Sequence, residues 1–155
     1  MSTIHGIPLV EASVDAGATF AEAARALSES RLGALAVVEG EKVVGLFTDE
    51  ELLLGVSPRY LGELKHTAFL ETELPSLRER ALETSREPVR KHMRKPVTIE
   101  LDGSSLHAAE RFVHCDEGAL PVVDDDDRFV GMLSRTDFAH ALLKRFAAAA
   151  DEPQS

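Results

Sequence analysis

Apolar and polar positions along this chain fall into two kinds of run, and the same order of runs occurs twice. Phe20, Ala23, Ala24 and Leu27 recur at i, i+3, i+4 and i+7, the stripe of a helix with one face on a core. Thr19, followed three residues later by Glu22, forms a capping box that starts this helix. The run Leu35 to Val38 then predicts a short buried strand, Glu39-Gly40-Glu41 a tight turn, and Val43 to Phe47 a strand pairing back. Thr48 is placed to cap a further helix.

About 85 residues later the pattern repeats. Leu106, Ala109 and Val113 give the second apolar stripe, Leu120 to Val123 the buried strand, Asp124 to Asp127 the turn, and Phe129 to Leu133 the returning strand. Ser134 caps the last helix, which continues through His140, Leu143 and Phe146. GALAVV at Gly33–Val38 matches GALPVV at Gly118–Val123, and VVGLFTDEEL at Val43–Leu52 matches FVGMLSRTDF at Phe129–Phe138. Short strands at Pro8–Ala12 and Val97–Glu100 complete two βαββα units. A unit of roughly 50 residues has too little core to stand alone, so the two are expected to pack sheet to sheet. Between them the pattern predicts a helix from Ser76 to Ser85, capped by Ser76 and Glu79 and ended by Pro88. Tyr60, Leu61, Leu64 and Phe69 make this insert too apolar for a free loop.

Composition narrows the function. Hydrophobic residues make up 44% and aromatics only 5%, without Trp, so the core is aliphatic. No apolar run reaches the roughly 18 residues of a membrane helix, and the first residues lack a signal-peptide pattern, which points to a cytoplasmic protein. A net charge of −10 argues against nucleic-acid binding, which needs clustered cations. The local exception is 86–95, with Arg86, Arg90, Lys91, Arg94 and Lys95 against Glu87. Cys115 is the one cysteine, which excludes a disulfide within the chain and a Cys-based zinc site. Its neighbours Asp116 and Glu117 are expected to raise its pKa and dull its reactivity.

The order helix, GALPVV, turn, FVGMLSRTDF resembles the cystathionine-β-synthase (CBS) domain, and VRKHMRKPVTI resembles the segment that leads into a second copy. The likeness covers repeats at 8–57 and 93–148, leaving 58–92 as linker or insert and 149–155 as a disordered tail. The resemblance implies an α/β fold of two pseudo-symmetric repeats that often pairs into a homodimer. It implies a regulatory, non-catalytic module whose clefts bind AMP, ADP, ATP or S-adenosylmethionine and which acts on a partner enzyme or transporter. A dimeric scaffold without a ligand is the alternative.

Residue chemistry agrees with a nucleotide cleft. Thr48 to Glu51 and Ser134 to Asp137 each set a hydroxyl and a carboxylate three residues apart at a helix start. Backbone N–H groups and the helix dipole there favour a phosphate, and the carboxylate can accept a ribose diol. The same pairs are also ordinary helix caps. In the second copy, Arg135 adds a cation, and the edge of Leu120, Pro121 and Val122 offers backbone groups to adenine. In the family pattern the strand carrying Val97 and Thr98 borders the cleft. Arg94 either clamps a phosphate or offsets the acidic surface. Glu51, beside Asp49 and Glu50, replaces the family's Asp, and Ala36 its usual Pro, so the second copy is the favoured site. His107 and His114, seven apart, do not have the spacing of helical zinc ligands. The Asp124–Asp127 run lacks the alternation of a calcium loop. No GxSxG, HExxH or P-loop pattern is present, so no enzymatic activity is expected.

Overall fold

The computed structural model describes residues 4–56 and 78–151. The first repeat contains β1 (Ser13–Asp15), α1 (Phe20–Ser30), β2 (Ala34–Glu39), β3 (Lys42–Thr48) and α2 (Asp49–Val56). A helix α3 follows at 78–86, and then a 3-10 turn at Val89–Lys91. The second repeat contains β4 (Ile99–Glu100), α4 (Ser105–Val113), β5 (Ala119–Val123), β6 (Phe129–Ser134) and α5 (Arg135–Asp151).

Each repeat builds one three-stranded sheet, β1-β2-β3 and β4-β5-β6, with the first pair parallel and the second antiparallel. The register slips at the same place in both, between Val37 and Val38 and between Val122 and Val123. The central strands β2 and β5 pack on each other. Their side chains Leu35, Val37, Leu120 and Val122 are fully buried, as the unbroken apolar runs require.

Both lead-in segments cross to the opposite repeat. Val10 pairs with Met132 of β6 (N–H···O 2.9 and 2.7 Å), and Arg94 pairs with Leu46 of β3 (2.9 and 3.0 Å). This exchange explains the glycine shared by the two hhGhh blocks. A Cβ at Gly131 would lie 2.8 Å from Leu9 Cβ, and one at Gly45 would lie 2.8 Å from Met93 Cγ. The crossing chain needs the missing side chain.

Four expectations are corrected. The strand placed at Pro8–Ala12 lies at Ser13–Asp15, because Leu9 and Val10 are drawn across to β6. The strand placed at Val97–Glu100 is only Ile99–Glu100. In α4 the cap is Ser104, whose Oγ accepts from the His107 N–H, and the buried stripe is Ser105, Ala108 and Phe112. Leu106 and Val113 are 81% and 77% exposed. Finally, α5 runs to Asp151, so 149–151 are helical, not tail. The expected cap at Ser76 and the apolar residues Tyr60, Leu61, Leu64 and Phe69 lie outside the described residues.

Candidate functional site

The crossed topology decides which residues meet. Arg94 lies on β3, so it joins the hydroxyl–carboxylate box of the first repeat and not Ser134 and Asp137. The segment beside Ser134 is instead Val10, through its pairing with Met132. The two clefts are therefore hybrids. One combines the lead-in of the second repeat with Thr48–Glu51, and the other combines the lead-in of the first repeat with Ser134–Asp137.

The Thr48–Glu51 cleft is closed on itself. Thr48 Oγ1 accepts from the Glu50 N–H at 3.2 Å, and Glu51 Oε2 accepts from both the N–H and the hydroxyl of Thr48. Thr48 and Glu51 thus cap the helix start, the hydroxyl taking the second helical N–H and the carboxylate reaching back to the Thr48 N–H. The Asp49 N–H donates to the Gly33 carbonyl at 3.1 Å, so these helix N–H groups already have partners. Arg94 donates from Nε to Glu51 (2.5 Å), from Nη1 to Glu117 (2.7 Å) and from Nη2 to Glu50 (2.6 Å). Burial works against the Arg94 charge, but its bonds to these three carboxylates raise its pKa above the ordinary value. Burial likewise pushes Glu117 up. Its own backbone N–H, Arg94 and Cys115 outweigh that and hold it below the usual carboxylate range. Of the two roles open to Arg94, the geometry places it on carboxylates. Beyond Glu51, a cavity of about 470 Å³ lies between α2, α3 and Lys91–Met93.

The Ser134–Asp137 cleft is open. Ser134 Oγ accepts from the Asp137 N–H at 3.3 Å, and the Arg135 N–H donates to Gly118 at 2.9 Å. The Asp137 carboxylate is exposed in the first turn of α5 and has no hydrogen-bond or ion-pair partner among the described residues. Arg135 folds back, its Nη2 donating to the Cys115 carbonyl at 2.5 Å and its guanidinium lying 5.9 Å from the Phe112 ring centre. A separate hollow of about 280 Å³, lined by first-repeat residues, runs along Val10–Ser13 beside Ser30 and Leu35.

The remaining expected residues lie on or just before the second-repeat sheet. Leu120, Pro121 and Val122 are fully buried in β5, so their side chains belong to the core. Strand β4 covers the outer edge of β5 at Val122 and Val123. Val97 and Thr98 are half-buried just before β4. Burial pushes the Cys115 thiol up, with Glu117 adding to it, although Arg135 Nη2 lies 3.7 Å from the sulfur. Sequence reasoning missed Glu50 and Glu117 as partners of Arg94, and Val10 as the segment paired with β6 near Ser134. The signal was there in the repeat: Val10 and Arg94 are 84 residues apart, within one residue of the roughly 85-residue offset between the two copies.

Among the described residues, no helix is long and apolar enough to cross a membrane. The CBS domain family model matches residues 2–57 and 89–144. A CBS domain-containing protein of Dictyostelium discoideum is 27% identical over 133 residues, covering 85% of this chain and 84% of that protein. The crystal structure of the CBS-pair protein CBSX2 from Arabidopsis thaliana superposes with a TM-score of 0.70 at 22% identity, over 94% of this chain and 97% of that one. A structure of CBSX2 in complex with AMP gives 0.66 at 22% identity, over 93% and 98%.

Proposed function

Since the chain belongs to the CBS domain family and carries two copies of the domain, we propose that it is a regulatory module that binds one adenine-containing ligand in the Ser134–Asp137 cleft. The observation that carries this reading is the unpartnered Asp137 carboxylate at the open cleft, set against a Glu51 already held by Thr48 and Arg94. Asp137 accepts the ribose diol, and Arg135 swings from Cys115 toward a phosphate. AMP, ADP, ATP and S-adenosylmethionine share the adenosine part this cleft would read. The AMP complex of CBSX2 supports an adenine nucleotide as the first to try.

The module acts as a homodimer on a separate enzyme or transporter. Helices α4 and α5 run antiparallel, joined by Phe112 on Phe138 (5.4 Å between ring centres) and Ser105 on Arg145 (2.6 Å). They leave Leu106, Val113, Leu143 and Phe146 exposed, an apolar face suited to a second copy. The same face favours the second reading, a dimeric scaffold without ligand. Thermal shift separates the two. A ligand at 100 times its Kd adds about 2.7 kcal/mol to stability, and the shift should vanish in Asp137→Ala. No shift with any of the four ligands at millimolar concentration leaves only the scaffold.

A further inference from the structure

The two clefts differ by a set of residues that change together. Where the first-repeat cleft has Arg94, Glu50, Glu51 and Glu117, the corresponding positions of the other cleft hold Val10, Thr136, Asp137 and Leu32. The cation and two of its three acids are absent from the second set, and with them the closure. Arg94 is not a surface side chain that happens to meet carboxylates. Its backbone is fixed to Leu46 by two hydrogen bonds, and each guanidinium nitrogen reaches a different carboxylate. Glu50 and Glu51 come from α2 of the first repeat and Glu117 from the approach to β5 of the second. The Glu51 and Glu117 side chains are 10% and 8% exposed.

We infer that the Thr48–Glu51 cleft is a guanidinium-binding site that the chain fills with its own Arg94, so that the position is closed to an anionic ligand. The hollow left beside Arg94 is about 260 Å³. Asp49, Glu50, Asp116 and Glu117 line it, and their charge repels a phosphate. One consequence, a single nucleotide per chain, rests on the proposed function above. The guanidinium site itself does not.

Chemical rescue tests the site without any nucleotide. Arg94→Ala leaves three carboxylates facing an empty space, and its melting midpoint should fall by at least about 5 °C. Methylguanidinium at tens of millimolar should then raise the midpoint of the variant, while tetramethylammonium at equal ionic strength does not. The wild-type protein, already filled, should gain nothing. If Arg94→Ala does not fold, Arg94→Lys carries the test. It keeps the charge but offers one nitrogen, and its midpoint should also fall. The inference is overturned if Arg94→Lys melts like the wild type, or if methylguanidinium and tetramethylammonium act alike on Arg94→Ala. Loss of nucleotide binding with rescue intact would count against the proposed function alone.

Discussion

Replacing Gly131 by Ala tests the crossing of the lead-in segments, on which both clefts depend. The new Cβ would lie 2.8 Å from Leu9 Cβ, with Leu9 Cδ1 at 3.4 Å. A Cβ is fixed to its backbone, so rotating Leu9 gives no relief, and residue 9 must move away from β6. Overpacking of this kind costs about 1–3 kcal/mol. Moving residue 9 also loosens the two Val10–Met132 hydrogen bonds, each worth about 0.5–1.5 kcal/mol. Gly131 also sits at φ +154°, where an L side chain is strained, so the lower entropy of the unfolded chain returns nothing. The net loss is at least about 2 kcal/mol, read as a lower urea midpoint with an unchanged slope. Gly45→Ala meets Met93 Cγ at 2.8 Å and Met93 Cβ at 3.0 Å, mostly the flexible part of a side chain. Adding Met93→Ala should therefore recover much of the Gly45→Ala loss, while Leu9→Ala, which keeps its Cβ, should not rescue Gly131→Ala. A Gly131→Ala protein within about 0.5 kcal/mol of the wild type would refute this account of the crossing.

Glu117 is held below the usual carboxylate range, so its stabilising effect is complete above that range, near pH 4.3, and is lost as pH falls through its lower folded value. Glu117→Gln should lower stability at pH 7 and flatten the acid limb of a plot of midpoint against pH, whereas parallel limbs would count against it. Thr19→Ala removes the acceptor for the Glu22 N–H at 3.2 Å and should cost about 1 kcal/mol in urea unfolding. Phe146→Glu changes a side chain that is 69% exposed in the single chain. Light scattering should find it monomeric with an unchanged melting curve at low concentration, and a dimer that persists would place the interface elsewhere.

The duplicated pattern made most of the fold legible. Strands β2, β3, β5 and β6 lie where unbroken apolar runs and turn residues put them, because burial on both faces leaves a plain signal. The buried stripe of α4 lies one residue off the expected Leu106, Ala109 and Val113, because Ala108 and Phe112 beside them are apolar too. Packing such as Phe112 on Phe138 selects between the two stripes. The boxes of the site were legible as residues but not as clefts. Arg94 precedes the second repeat in sequence yet lies against the first. A crossing of this kind leaves no local periodicity, because it is set by contacts between segments far apart in the chain. Its one local trace is the glycine of each hhGhh block, and a glycine alone does not say which segment approaches it.

The central claim is that the open carboxylate at Asp137 reads the ligand while the cleft at Glu51 stays closed. Calorimetric titration with the adenine ligand that shifts the melting midpoint most, on wild type and Asp137→Ala at one salt concentration, addresses it directly. The account predicts one ligand per chain in the wild type and at least tenfold weaker binding in the variant, about 1.4 kcal/mol. Two ligands per chain, or equal affinity in Asp137→Ala, would contradict it.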